Sequence, residues 1–169
     1  MTKNDFYFKI KIYWRVDMKG SKRSSDNLKN LIYEAIRMRG MRLTPQRIAI
    51  VNHIVGNRNH PSADEIFNII KENYPTISKA TIYSTLELLV ELGYIDKIVF
   101  QDNREARFDG NPEPHAHFIC TKCGKIYDFH NLNLTDQINS LEKKGYRVNK
   151  TQIYIYGVCP ECQEKEKLF

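Results

Sequence analysis

Four cysteines stand in two Cys-x-x-Cys pairs, Cys120/Cys123 and Cys159/Cys162, separated by 35 residues, and the chain has no others. This pattern constrains the fold more than any other feature. Each pair presents two sulfurs at chelating distance on a tight turn, and Gly124 eases the first. Two such turns converging on one ion make a closed tetrahedral thiolate set. That is the arrangement of structural zinc and not of a catalytic metal with an open position. The tail of the chain must then return to the middle of the sequence. Buried thiol pairs and redox cysteines are the competing readings, and the doubled spacing favours zinc.

His115-Ala116-His117 comes just before the first pair. On a strand, His115 and His117 share one face, and Cys120 faces the other way. The imidazoles and the thiolates therefore belong to two distinct, neighbouring sites. Asp109 and Asp128 are candidate oxygen ligands, and His60, just ahead of Pro61, is a candidate nitrogen ligand. By residue type each is also an ordinary capping or surface residue, and spacing alone does not choose. Imidazoles with carboxylates suit iron, manganese or zinc. A site drawing on both halves of the chain would fix their relative orientation when metal binds, a route to metal-dependent DNA binding. His53 and His130 read as structural.

A chain of 169 residues makes one or two small domains, and thin cores need a staple. Residues 1–25 read as an extension outside the fold, with Met18 a candidate alternative start and a basic arm the functional alternative. Residues 26–110 carry four helical patterns. Leu28, Leu31, Ile32, Ala35 and Ile36 form the first, stopped by Gly40. Thr44-Pro45 opens the second, with Ile48, Val51, Ile54 and Val55 on one face. Ser62-Ala-Asp-Glu65 is a capping box for the third, with Ile66, Phe67, Ile69 and Ile70. Ser78 caps the fourth, whose inner face is Ile82, Leu86, Leu89 and Val90, ending at Gly93. The period then changes. Tyr94–Phe100 and Arg104–Phe108 read as strands about a turn at 101–103. Helices followed by a short hairpin suggest a winged helix.

Asn111-Pro-Glu-Pro114 is a stiff polar break. Residues 111–169 then read as α/β: strands near 115–120 and 125–129, a helix over 134–144, and a strand from Tyr146 to Gly157. That last strand is apolar on both faces, which calls for cover on both sides, one of them a second subunit. The fold class expected is therefore α+β, a winged-helix domain followed by an α/β dimerisation domain stapled by zinc.

The net charge of +6 does not by itself indicate nucleic acid, because residues 1–25 hold +5 of it. Placement is more informative. The fourth helix turns Lys79, Ala80, Tyr83, Ser84 and Glu87 away from its apolar face. Ser78 and Lys79 stand at the end that would enter a major groove, and small residues allow close approach. Arg42 and Arg47 flank the second helix as phosphate contacts. A solvated helix face is the plain alternative, and the hairpin that follows shifts the balance toward DNA. No apolar run nears the roughly 18 residues of a membrane span, and the N-terminus lacks a signal peptide's apolar core. A cytoplasmic location is expected.

Together Leu43-Thr-Pro-Gln-Arg47, His60-Pro-Ser-Ala-Asp-Glu65, Ala80-Thr-Ile-Tyr83, Arg107-Phe-Asp109, His115-x-His-x-x-Cys-x-x-Cys-Gly124 and Tyr156-Gly-Val-Cys-Pro-Glu-Cys162 resemble the ferric uptake regulator (Fur) family over about residues 28–165. The resemblance implies a homodimeric, metal-dependent repressor on palindromic double-stranded DNA. Within the family the peroxide-sensing branch, PerR, is most similar. It implies a regulatory Fe2+ or Mn2+ held by His60, Asp109, His115, His117 and Asp128, apart from a structural Zn2+ on the four cysteines. It implies further that iron and peroxide oxidise His60 and His115, a stoichiometric event and not enzymatic turnover. Iron-uptake regulators usually present Glu at the position of Asp128. They often place His and Asp at those of Pro114 and Ala116, so a further metal site is not expected here. An iron- or zinc-uptake repressor is the alternative on the same scaffold. A zinc hydrolase and a zinc-stapled interaction module are alternatives from other classes.

Overall fold

The computed structural model describes residues 25–100, 104–111, 115–130, 132, 134–148 and 150–166. The turn expected at 101–103, the N-terminal extension and the break after Asn111 lie outside these residues, except for Ser25. The chain divides into two compact units, one up to Pro112 and one from Glu113 onward.

The first unit is a winged helix: α1 (Ser25–Met38), α2 (Pro45–Ile54), α3 (Ala63–Asn73), α4 (Lys79–Glu91) and the antiparallel hairpin of β1 (Asp96–Ile98) and β2 (Arg107–Asp109). Its core gathers Leu28, Ile32, Ala35 and Ile36 of α1 with Ile50, Val51 and Ile54 of α2. Ile66 and Ile70 of α3, Ile82, Leu86 and Leu89 of α4, and Phe108 of β2 join them. Thr85 is fully buried among them, and its hydroxyl donates to the Thr81 carbonyl at 2.7 Å. The helix starts follow the sequence signals. Thr44 caps α2 ahead of Pro45. Ser62 and Glu65 exchange both bonds of a capping box, at 2.8 and 3.1 Å. Ser78 caps α4. Two inward assignments fail: Leu31 is 38% and Ile69 45% exposed. In α2 Ile50 joins Val51 and Ile54 as fully buried, while Ile48 is only half-buried. Apolar side chains surround most of that helix, so periodicity alone cannot orient it.

The second unit is a three-stranded sheet in the order β4 (Ile126–Phe129), β3 (Ala116–Cys120), β5 (Tyr154–Gly157), with α5 (Thr135–Lys143) and α6 (Pro160–Glu166). β3 runs antiparallel to β4 and parallel to β5. The long last strand is corrected to four residues. A strand needs a ladder partner, and β3 pairs with β5 only from His117↔Tyr154 to Cys120↔Gly157. Gly145, at φ +88°, turns the chain after α5, and Tyr146 is 64% exposed. Burial on both faces belongs instead to the central strand β3, where Ala116, His117, Ile119 and Cys120 are all buried. Ile155 and Tyr156 of β5 are exposed. Helix α6 carries no sequence expectation, although Pro160 is well placed to begin it. No helix among the described residues is long and apolar enough to cross a membrane.

Candidate metal centres and nucleic-acid face

The parallel pairing of β3 with β5 sets Cys120 opposite Gly157, so the turn after each strand reaches the other. The Thr121 amide donates to the Gly157 carbonyl at 2.8 Å. All four cysteine sulfurs then lie within 4.8 Å of one another. Cys123 Sγ and Cys159 Sγ are 3.8 Å apart. Tetrahedral zinc with bonds of about 2.3 Å places its sulfurs about 3.8 Å apart, so the cage fits that ion. Backbone amides aim at the sulfur of Cys120, from Cys159 at 3.3 Å and from Cys123 at 3.5 Å. Burial opposes ionisation of Cys120, but these amides prevail and bring its thiol down to about 6. Burial and the neighbouring sulfurs push Cys162 up to about 12. Crowded thiols cannot all ionise alone, and a bound dication resolves the conflict. Lys125 bonds both carboxylate oxygens of Glu161 at 2.8 and 3.0 Å, and Lys122 pairs with Glu166, tying α6 to the first cysteine turn.

A second cluster forms in the same unit. His117 and Asp128 are direct partners across β3 and β4, so imidazole and carboxylate face each other. His115 Nε2 lies 2.9 Å from His117 Nε2 and 3.6 Å from Asp128 Oδ1. His117 Nε2 is 3.9 Å from that same oxygen. Adjacent donors about 2.1 Å from one ion sit about 3 Å apart, so these spacings suit a first-row metal. Tyr154 stacks on the His117 ring at 5.7 Å. His130, read as structural, is exposed with its ring 5.8 Å from that of His115.

The first unit joins His60 to Asp109 across 48 intervening residues. The loop holding His60 is laid along β2: the Phe108 amide donates to the Pro61 carbonyl at 3.0 Å, and Ser62 bridges Arg107. Both side chains are 2% exposed, and His60 Nε2 lies 3.9 Å from Asp109 Oδ1. His60 stands at φ +48°, the left-handed region. That conformation costs a non-glycine residue about 1–3 kcal/mol and recurs at functional sites. The sequence gives one weak signal for it, the Asn59-His60-Pro61 run. Gly110 is the other unforeseen device. A Cβ there would lie 1.7 Å from the Ile54 carbonyl oxygen, and the Gly110 carbonyl accepts the Gly56 amide at 2.8 Å. Glycine alone lets the end of β2, and Asp109 with it, sit on the end of α2.

On α4, Lys79, Ala80, Tyr83, Ser84 and Glu87 are all exposed, as the periodicity requires. Several have internal partners. Ser78 Oγ caps the helix by accepting the Thr81 amide. Lys79 Nζ lies 2.6 Å from Asp64, and Ser84 Oγ donates to the Thr81 carbonyl. Arg47 donates to the Arg42 carbonyl at 2.6 Å, and Arg42 is exposed. Arg42, Thr44, Arg47, Ser78 and Thr81 line one cleft of about 520 Å³ between the starts of α2 and α4. Two helix N-termini and two guanidinium groups favour an anion there.

Known proteins share the sequence pattern and the fold. The Ferric uptake regulator family model matches residues 38–156. The peroxide-responsive repressor PerR of Staphylococcus epidermidis is 40% identical over 133 residues, 78% of this chain and 87% of that protein. A crystal structure of the Campylobacter jejuni peroxide stress regulator superposes with a TM-score of 0.59 at 31% identity, covering 79% of this chain and 97% of that one. The Helicobacter pylori ferric uptake regulator shares the fold, with a TM-score of 0.71 at 23% identity over 83% of this chain and 95% of that one. With most of its length matched by the family model and both donor clusters assembled, the chain belongs to the ferric uptake regulator family.

Proposed function

We propose that this metal-responsive repressor, which is a regulator and not an enzyme, senses peroxide. In this reading the four cysteines hold structural zinc. His60 and Asp109 of the first unit join His115, His117 and Asp128 of the second around one regulatory ion, Fe2+ or Mn2+. The observation that carries the reading is the convergence of His115, His117 and Asp128 within 4 Å beside, yet separate from, the thiolate cage. Support for the five-ligand set comes from the buried His60–Asp109 pair, whose strained histidine is held for something other than stability. Asp128, in place of glutamate, and the similarity to a peroxide-responsive repressor favour the peroxide branch over metal-uptake control.

The residues work by binding or releasing one another. Ligands from two units on one ion restrict how the units are oriented, and that orientation sets whether paired recognition helices match a palindromic operator. Pairing itself is assigned to the second unit, where Phe129, Leu141, Ile155 and Tyr156 are exposed and apolar. On α4, Ala80, Tyr83 and Ser84 read bases, Ser78 and Lys79 enter with the helix start, and Arg42 and Arg47 hold phosphate. The location is cytoplasmic. Iron(II), when bound, supplies the one-electron chemistry that activates peroxide beside its ligands. The imidazole of His60 or His115 then gains one oxygen atom while peroxide leaves as water. An oxidised ring is a poor donor, so the ligand set fails and the operator is released.

Mass spectrometry tests this. Protein loaded with iron and exposed to peroxide gains one oxygen on the peptide of His60 or His115 and loses operator affinity, while the manganese form gains none. Intact histidines with retained DNA binding return the chain to the metal-uptake reading.

A further inference from the structure

We propose that Asp64 is a positioning residue for DNA: it holds the Lys79 ammonium at the start of α4 and thereby favours the operator over DNA of other sequence. The proposal rests on the reading that α4 enters the major groove, and not on which metal or oxidant is sensed.

Helix α4 has three charged side chains, and each is bonded to a different part of the first unit. Lys79 Nζ lies 2.6 Å from Asp64 of α3, Lys97 of β1 lies 2.5 Å from Glu87, and Arg39, just after α1, lies 2.9 Å from Glu91. Only the Lys79 pair stands at the end that would enter the groove. Lys79 is the first residue of α4, where the helix dipole disfavours a cation, and the first turn of α4 has no acid of its own. Asp64 supplies that anion from the first turn of α3, where the dipole favours it.

Other groups hold the pair in place. The Asp64 amide donates to Glu105 Oε1 at 3.3 Å, which ties this turn to the segment leading into β2. Phe67, three residues on, sets its ring 5.7 Å from Lys79 Nζ, so the ammonium lies beside a carboxylate and over an aromatic face. A free lysine head on four flexible carbons loses much of its freedom when it docks. Here that loss is taken before DNA arrives, so less remains to be lost on binding. An ammonium has three N–H donors and Asp64 engages one. The Lys79 side chain stays 55% exposed, which leaves the other donors accessible to a base edge or a phosphate. The carboxylate has a second effect. It subtracts a charge from the face that meets DNA, so a backbone that approaches without the groove fit meets repulsion. Positioning acts where the helix is seated, and repulsion acts on every duplex. Together they widen the gap between operator and other DNA.

The test uses the full manganese-loaded chain, a duplex selected by the wild-type protein from random sequences, and poly(dI-dC) as DNA of other sequence. Asp64→Asn keeps the shape of the side chain and removes its charge. Both partners are about half exposed, so the core is untouched. Fluorescence anisotropy, with poly(dI-dC) as competitor, shows affinity for the selected duplex lower by up to about 5-fold and affinity for poly(dI-dC) higher by up to about 3-fold. In a Lys79→Ala background, Asp64→Asn weakens the selected duplex no further, because no ammonium is left to place. Unchanged or tighter binding of the selected duplex by Asp64→Asn overturns the proposal. So does a loss that persists without Lys79, or one of equal size on both DNAs. A wild-type chain that selects no duplex overturns the reading of α4 instead.

Discussion

The two units solve the same problem of cohesion in opposite ways. The winged helix buries a continuous set of large aliphatic side chains, among them Ile32, Ile36, Ile50, Ile54, Ile66, Ile82, Leu86 and Leu89, all at 0% exposure. Each contributes about 1.5–3 kcal/mol by leaving water. The second unit has almost none of this. Among its described residues the buried apolar side chains are Ala116, Ile119, Cys120 and Cys159, and neither α5 nor α6 buries a residue. Half of that short list is zinc-ligating sulfur in the proposed scheme. The winged helix therefore has a core of its own, while the smaller unit, in the proposed scheme, relies on metal and on a partner copy. A repressor benefits from this division. In the proposed scheme the unit assigned to DNA reading keeps its shape without metal, while the unit that carries His115, His117 and Asp128 is conditional.

The largest effect expected from this contrast comes from removing the staple. In Cys159→Ser, zinc is lost and the amide dispersion of residues 116–166 collapses in a proton–nitrogen correlation spectrum, while that of residues 28–98 persists. Structural zinc contributes on the order of 10 kcal/mol in small domains, comparable with the whole stability of a domain this size. Collapse of both sets of signals would break the comparison, since the winged helix would then also depend on the metal.

What the sequence revealed follows the same division. Local chemistry was legible wherever a residue type has one main use. Ser62 and Glu65 announce a capping box, Thr44-Pro45 announces a helix start, and two Cys-x-x-Cys pairs announce a thiolate cage. Properties that arise from pairing were not legible. The stretch from Tyr146 to Gly157, apolar on both faces, promised a long strand, yet a strand extends only as far as its neighbour, and β3 offers four positions. The register that sets Asp128 opposite His117 is likewise a property of two strands and not of either one. Left-handed His60 and the Gly110 close approach each depend on segments distant in sequence. The face of α4 was read correctly, but its internal partners, such as Asp64 for Lys79, were not foreseen.

Gly110→Ala sharpens the contrast from the other side, because it strains the unit that needs no metal. The added methyl must displace either β2 or the end of α2, since the atom it meets is backbone and cannot swing aside. Overpacking of this kind costs about 1–3 kcal/mol. Urea unfolding monitored on first-unit amides reads the loss as a lower midpoint, and the zinc content of the second unit stays at its wild-type level. An unchanged midpoint would mean that β2 does not rest on α2 as described, and the placement of Asp109 would lose its physical basis.

The smallest expected effect concerns the clamp that holds the His60 loop in place. Glu65 accepts the Ser62 amide and the Arg107 guanidinium at once, joining the start of α3 to β2. Burial alone would raise its carboxyl, but the bonds from Arg107 and Ser62 outweigh it and hold the group below its ordinary 4.5. The sign follows from linkage. A depressed carboxylate stabilises the fold fully above its unfolded value, and that contribution fades as pH falls through the lower folded value. Glu65→Gln keeps the capping geometry and removes only the charge, which isolates the Arg107 pair. Glu65 is 53% exposed on its side chain, so screening limits the loss to below about 1 kcal/mol at neutral pH. Urea titrations taken from neutral pH down past the carboxylate range show the two proteins converging as Glu65 protonates. A difference that stays constant with pH would assign the clamp to hydrogen-bond geometry alone, and the charge would play no part in seating His60 against Asp109.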